Sequence, residues 1–203
     1  MMFYRTDTNV HGLAHDPFKA LVAPRPIGWI GTKGRDGSIN LSPYSFFNIV
    51  SDTPKIVMFS SSGRKDSLRN AEETGVFTAS LASRNLAEKV NASSVAVGYG
   101  INEFPIAGLE PENGRLVDAP YVREAFAALE CRLTEVIQPL TLKGERAQSY
   151  MVFGEVVGIH IDESVIREGR IDMASLRPIA RMGYRDYCDG GADVFQMTRP
   201  ATP

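Results

Sequence analysis

A cluster of hydroxyl and cationic side chains separates an apolar run from the start of a helical pattern. The cluster spans residues 60–67 and contains Gly63 followed by Arg64 and Lys65. Serine hydroxyls, adjacent cations and the free N–H groups of a helix N-terminus all bind phosphate, and glycine lets the backbone approach it. The spacing is not that of a Walker loop or a dinucleotide-binding glycine motif. The cluster predicts a local phosphate site, and a Ser-rich surface turn capped by Asp66 is the alternative.

A second candidate segment, residues 40–48, mixes small polar residues with three aromatic side chains. Aromatic rings beside hydroxyl and amide groups suit a flat heteroaromatic ligand, which stacks on the rings and is hydrogen-bonded at its rim. The alternative is a loop whose rings belong to the core, because the adjacent Phe46 and Phe47 cannot both face a ligand. The segment therefore predicts one wall of a ligand site or a part of the core.

The histidines and cysteines give less support for other chemistry. His11, His15 and His160 are scattered and match no metal-binding motif, so no metal site is predicted. His160 ends a long predicted strand and could donate a proton or contact a substrate, with a structural role as the alternative. Cys131 alternates with apolar neighbours and is expected in the core, while Cys188 has little nearby positive charge to activate it. Two cysteines make no disulfide framework, which favours a reduced, cytoplasmic setting.

These candidate residues must be positioned by short elements. Residues 67–73 and 85–91 have helical spacing, and Gly75 closes the first of these helices. Residues 92–122 are interrupted by glycine and proline and are predicted to be irregular. The segments with strand composition are residues 27–32, 39–42, 55–60, 76–81, 129–133 and 151–161, of which the last two are expected to pair.

The composition limits the class of protein. The chain has 203 residues, 43% of them hydrophobic, and 22 basic against 24 acidic side chains give a net charge of −2. Such a balance provides no overall attraction for polyanions, so any anion must be bound locally. No apolar stretch is long enough for a membrane helix and no signal peptide is apparent, which favours a soluble protein. We expect one domain over residues 1–203 with arms at 1–15 and 189–203, folded as a mainly β, antiparallel barrel with short helices.

Several motifs occur in an order that resembles the flavin reductase-like family of FMN-binding split barrels. The likeness runs over about residues 16–188. Its motifs are Pro24-Arg25-Pro26-Ile27-Gly28-Trp29, residues 40–48, Arg64-Lys65-Asp66-Ser67-Leu68-Arg69-Asn70, Leu86-Ala87-Glu88, Glu103-Phe104, and Gly154-Glu155-Val156-Val157 with His160.

The resemblance implies a homodimer of split β-barrels that holds FMN noncovalently near the subunit interface. It implies an FMN-dependent oxidoreductase that takes hydride from NADH or NADPH and passes electrons to free flavin, a partner oxygenase or a small acceptor. His160 matches a family histidine near the flavin and is the candidate catalytic residue. The implied cofactor-binding residues are Asn40, Ser42, Pro43, Tyr44, Ser45, Phe46, Asn48, Ser60, Ser61, Ser62, Arg64, Lys65 and Ser67.

The sequence departs from the commoner family pattern at two positions. Ser80 stands where asparagine is frequent, and Gly183-Tyr184 stands where a glycine pair is frequent. Tyr184 adds bulk, so substrate specificity is the property most affected. One alternative function is an FMN-binding electron-transfer or storage protein without NAD(P)H activity. Another is a nucleic-acid-binding module of OB-like shape, which the acidic net charge disfavours.

Overall fold

The structure is a computed structural model that describes residues 1–200, with short helices around a large antiparallel sheet. Two 3₁₀ turns cover Arg84–Leu86 and Glu163–Val165. The α-helices within the described residues are α1 Phe18–Leu21, α2 Asp66–Thr74, α3 Ala87–Ala92, α4 Glu103–Ile106 and α5 Met173–Leu176. The strands are β1 Arg25–Pro26, β2 Gly28–Lys33, β3 Ile39–Tyr44, β4 Phe47–Asp52, β5 Lys55–Ser62, β6 Val76–Leu81, β7 Pro111–Asn113, β8 Pro120–Val122, β9 Ala127–Ile137, β10 Ser149–Ile161, β11 Ile166–Arg167, β12 Arg170–Ile171, β13 Ile179–Arg181 and β14 Tyr187–Asp189.

The main sheet confirms the mainly β, antiparallel fold class. It has seven strands in the order β3-β2-β6-β9-β10-β5-β4. Each predicted strand segment lies in this sheet apart from Ile27, which precedes β2, and β9 pairs with β10 as expected. The edge strands β3 and β4 follow each other directly in the chain, so the sheet must curl until its two edges approach. The connection between these strands is called the barrel seam below. Within it, the Phe46 carbonyl oxygen accepts a hydrogen bond from the Ser60 N–H of β5 at 2.8 Å, which continues the β4–β5 ladder.

The core has two parts because β2 is buried on both of its faces. Successive side chains of a strand point to opposite faces. Trp29 accordingly belongs to a cluster beneath α3 and α4, while Ile30 belongs to the barrel interior with Phe59 and Phe77. The Trp29 indole Nε1 donates to Ser93 Oγ at 2.9 Å, so its polar edge is satisfied inside the first cluster.

Helix α2 forms where the sequence predicts it, one residue longer at each end. It ends at Gly75, whose φ of +75° and N–H bond to Ala71 O at 2.9 Å form a left-handed cap. Leu68 and Ala71 bury its apolar face in the barrel interior. Asp66 is not the N-cap that the surface-turn alternative required, since it lies in the first turn and Lys65 occupies the cap position without a side-chain cap bond.

The segment at 92–122 is more ordered than the prediction of an irregular stretch. It contains α4 and the hairpin of β7 and β8, and it is anchored by buried carboxylates described below. The predicted helix at 85–91 is a 3₁₀ turn followed by α3. Of the predicted C-terminal arm, residue 189 belongs to β14 and residues 201–203 lie outside the described residues. Within residues 1–200, no helix has both the length and the apolar content needed to cross a membrane.

Candidate functional site

A cavity of about 580 Å³ lies beside the barrel seam. One wall comes from the end of β3 and its connection to β4, and a second comes from the end of β5 and the start of α2. The remaining wall is formed by segments near both chain ends. The lining residues are Asp16, Phe18, Lys19, Arg25, Ser42, Pro43, Tyr44, Ser45, Phe46, Ser60, Ser62, Lys65, Ser149, Arg181 and Tyr184.

The seam wall combines aromatic rings with polar groups. Pro43 lacks an N–H donor and is accommodated because β3 is an edge strand. Tyr44 is 7% exposed, its burial raises the pKa of its phenol, and its hydroxyl has no hydrogen-bond partner among the described residues. Phe46 is 42% exposed, whereas Phe47 packs against the barrel interior. The adjacent rings therefore have different surroundings: Phe46 is partly exposed at the cavity, with the Arg25 guanidinium 5.9 Å from its ring centroid, and Phe47 is not a lining residue.

The turn between β5 and α2 places hydroxyl groups and a cation at the cavity. Ser60, Ser62 and Lys65 line it. Ser61 is buried instead, and its Oγ donates to the Gly63 carbonyl at 2.8 Å. Gly63 has a φ of +85°, which explains why the turn uses glycine. Among residues 1–200, no carboxylate lies within salt-bridge distance of the Lys65 ammonium, so its charge is available to an anion beside the first turn of α2.

The side chain of Arg64 points away from the cavity that its neighbour Lys65 lines. Its guanidinium forms an ion pair with Glu72 on α2 and lies 5.8 Å from the centroid of the Tyr150 ring. Its side chain is 56% exposed and does not line the cavity. The two adjacent cations of the sequence thus have different positions, and only Lys65 faces the candidate site.

Asn40 and Ser67 lie inside the protein, behind the cavity wall. Ser67 Oγ donates to Asn40 Oδ1 at 2.8 Å, and Asn40 Nδ2 donates to Glu103 Oε1 at 2.9 Å. Glu103 also accepts from the Leu41 N–H at 2.9 Å, while its burial raises the pKa of its carboxyl group. This network joins β3, α2 and α4, so these two predicted ligands are placed to hold the walls together. Asn48 lines an adjoining apolar cavity of about 680 Å³.

His160 lies away from the cavity, on β10. Its Nε2 is 2.6 Å from Glu130 Oε1, and its ring stacks on Tyr121 with centroids 4.5 Å apart. Glu130 is 1% exposed and also accepts three backbone N–H bonds from residues 115–117. Burial acts to raise the pKa of Glu130, but these backbone donors and His160 hold it below the usual glutamate value. The arrangement fastens residues 115–117 to the barrel.

The wall built by the chain ends was not assigned from the sequence. Arg25 lies in the Pro-Arg-Pro motif, and its buried guanidinium donates to the Val22 carbonyl at 2.5 Å and to the Met182 carbonyl at 2.9 Å. Arg25 Nε has no partner among the described residues. Arg181 and Tyr184, in the segment where the sequence departs from the family pattern, complete this wall. The sequence signals that could have identified this wall are the Pro-Arg-Pro motif and the departure from the family pattern at Gly183-Tyr184.

The cavity is locally positive although the chain has a net charge of −2. Four cationic side chains line it, against the single carboxylate of Asp16. The cations are Lys19, Arg25, Lys65 and Arg181. Within the described part of the chain, no group of three or more His, Cys, Asp or Glu side chains is placed to hold a metal ion. Together with five serines and exposed aromatic rings, the charge suits an anionic, partly flat organic ligand.

Comparisons with known proteins find relatives that cover most of the chain. An uncharacterized protein from Aquifex aeolicus is 34% identical over 173 residues, which cover 82% of this chain and 85% of that protein. Nitrilotriacetate monooxygenase component B from Bacillus cereus has a TM-score of 0.86 at 26% identity, with 97% of this chain and 100% of that chain covered. Flavoredoxin of Desulfovibrio vulgaris has a TM-score of 0.74 at 27% identity, covering 86% and 91% of the two chains.

The family model described as "Flavin reductase like domain" matches residues 21–180. The match includes the seam wall and the turn before α2, and its last residue lies one position before Arg181. The resemblance inferred from the sequence is confirmed, and the chain belongs to the flavin reductase like domain family.

Proposed function

We propose that the chain is an oxidoreductase that binds FMN in the cavity at the barrel seam. The observation that carries this proposal is that one cavity has a cationic, hydroxyl-rich wall and an aromatic wall. Lys65 lies at the N-cap of α2 beside the serine hydroxyls at the end of β5, and the exposed ring of Phe46 lies at the seam with Ser42 and Ser45. FMN has a phosphate at one end and a flat heteroaromatic ring at the other, which match these walls.

The phosphate is assigned to the turn between β5 and α2. Ser60, Ser62 and Lys65 supply donors, and the first N–H groups of α2 add positive potential. Of the other predicted phosphate ligands, Ser61 and Ser67 act by shaping the turn through their bonds to Gly63 and Asn40.

The flat ring is assigned to the wall formed by residues 42–46. In this assignment, backbone groups of Ser42 and Ser45, which both line the cavity, meet its polar edge, and Phe46 offers an exposed ring. The Tyr44 hydroxyl and Arg25 Nε, both buried without partners, fit a site that a polar ligand completes. When bound, FMN supplies the redox chemistry, and the protein binds it, orients it and limits its contact with water.

NADH or NADPH is the proposed electron donor, and free flavin, a partner oxygenase or a small molecule is the acceptor. Similarity to a monooxygenase component B supports an oxygenase partner. A homodimer is proposed because Ile49 and Val50 are exposed on the edge strand β4, where a second copy would cover them. His160 does not line the cavity of its own chain. A catalytic role for His160 therefore requires a dimer in which it lies beside the cavity of the second copy.

The second candidate function is an FMN-binding electron carrier without NAD(P)H activity. The similarity to flavoredoxin favours it. Anaerobic titration of the FMN-loaded protein with NADH and with NADPH separates the two functions. Bleaching of the flavin absorption by either nucleotide supports the reductase, and bleaching only by dithionite supports the carrier.

The cofactor assignment is tested with a matched pair of variants. Lys65→Ala removes the cavity-lining cation at the N-cap of α2 and should weaken FMN binding by about 10- to 100-fold, the effect of losing one charge-assisted contact. Arg64→Ala removes the neighbouring cation, which is paired with Glu72, and should change FMN affinity by less than about threefold. Fluorescence quenching of FMN measures both. Equal effects of the two variants would contradict the phosphate assignment, and an FMN-free wild type would contradict the proposed function.

A further inference from the structure

Tyr184 has a backbone conformation that its side chain disfavours. It lies in the turn between β13 and β14 with a φ of +55°. In this left-handed region the Cβ atom of an L-residue crowds the neighbouring carbonyl oxygen, so glycine and asparagine are the usual occupants. A tyrosine is retained there only when its surroundings hold the turn in place.

Three contacts hold this turn. The Met182 N–H donates to the Asp186 carbonyl, and the Asp186 N–H donates to the Gly183 carbonyl, both at 2.9 Å. The Arg181 guanidinium donates to the carbonyl oxygen of Tyr184 itself. A Cβ atom on Gly183 would lie 2.5 Å from the Cβ of Ala20 on α1, so the turn sits directly against that helix. The backbone of Tyr184 is therefore fixed from both sides.

The fixed turn places the Tyr184 ring at the cavity. Tyr184 lines it as part of the wall built by the segments near the chain ends and is 50% exposed. Its ring centroid lies 5.6 Å from that of His15, at an interplanar angle of 54°, so the N-terminal segment supports one side of the ring. An exposed aromatic ring that is held in one position binds flat π-systems by stacking, and it contributes little to the binding of compact, non-aromatic molecules.

We infer that Tyr184 is a specificity-determining residue that favours planar aromatic electron donors or acceptors as the second ligand of the cavity. The inference rests on the proposed function, because FMN on the seam wall leaves the Tyr184 wall for the second ligand. Binding, not chemistry, is the step that the ring influences.

The test uses the full chain loaded with FMN and reduced by dithionite, so that no nicotinamide is needed. Each reduced flavin gives two electrons, and with two protons one menadione becomes menadiol, or two ferricyanide ions become ferrocyanide. Stopped-flow reoxidation should show that Tyr184→Gly raises the half-saturating menadione concentration by about three- to tenfold, the size of one stacking contact. Ferricyanide reoxidation should be unchanged. Tyr184→Phe should behave as wild type, and Tyr184→Leu should resemble the glycine variant.

Two measurements without turnover accompany the kinetics. The FMN dissociation constant of Tyr184→Gly should stay within about threefold of wild type, and its Tm should not fall, since glycine accepts the positive φ without strain. Unchanged menadione saturation in the glycine variant overturns the inference and leaves the proposed function intact. A more than tenfold loss of FMN affinity also overturns it, because Tyr184 would then bind the cofactor. A wild-type chain that binds no FMN refutes the proposed function instead.

Discussion

Replacing Glu130 by glutamine should loosen residues 115–117 from the barrel. Glu130 Oε2 accepts from the N–H groups of Leu116 and Val117 at 2.7 and 2.9 Å, and Oε1 accepts from the Arg115 N–H at 2.9 Å. Glutamine keeps one acceptor oxygen, so its NH₂ group leaves at least one of these N–H groups without its acceptor, and the remaining bonds are no longer made to a charged group. A bond to a charged group contributes about 1.5–3 kcal/mol net against about 1 kcal/mol for a neutral one, so the free energy of unfolding should fall by about 3 kcal/mol.

Urea unfolding, followed by the fluorescence of the single tryptophan Trp29, measures this loss. The control is Glu135→Gln, an exposed carboxylate on the same strand, which should change the free energy of unfolding by less than about 0.5 kcal/mol. The pKa of Glu130 lies below its ordinary value of 4.5 in the folded protein. The contribution of Glu130 is therefore fully present above that unfolded-state value and is lost as the pH falls through the lower folded-state value. A loss under about 1 kcal/mol near neutral pH, or a difference between wild type and variant that does not shrink as the pH falls below 4.5, would refute the reasoning.

Three further predictions concern a buried hydrogen-bond network, the two cysteines and a close approach of two strands. Asn40→Ala breaks the bonds to Ser67 and Glu103 and should lower the free energy of unfolding of the FMN-free chain by about 2–4 kcal/mol in urea; no loss would show that the network is not structural. Burial raises the pKa of the Cys131 thiol, so only Cys188 should react rapidly with Ellman's reagent in the native chain, and Cys188→Ser should remove that fast reaction. Gly31→Ala would bring a Cβ atom to 2.0 Å from the Pro120 carbonyl oxygen and should lower Tm measurably, while Gly98→Ala, with open space around it, should not.

The strands and α2 were predictable because their signals are local. Apolar, β-branched runs mark β5, β6 and β10, and Gly75 ends α2 through its own backbone freedom. The curl that brings β3 and β4 together depends on the pairing order of seven strands, which no single segment encodes.

The candidate site was predictable on one side only. The segments that supply Phe46 and Lys65 carry local signals, since each joins a strand to a turn with distinctive side chains. Arg25 and Met182, which help to build the other wall, are separated by 157 residues, so their contact has no local signature. The separation of Arg64 from Lys65 likewise depends on Glu72, eight residues further on, which neutralises one cation and leaves the other free.

The cavity wall formed by the segments near the chain ends is held less firmly than the barrel. The seven-stranded sheet is joined by continuous ladders of backbone hydrogen bonds, whereas α1 and the β13–β14 turn are held to it by a few contacts such as those of Arg25. Weakly held segments open with a small free energy while the core stays intact. The sheet can therefore stay fully paired while α1 and the β13–β14 turn move away from the cavity. Amide hydrogens in residues 16–22 and 182–186 should exchange well before those of β6 and β9. A ligand exchanged while these two short segments are parted would leave the barrel closed.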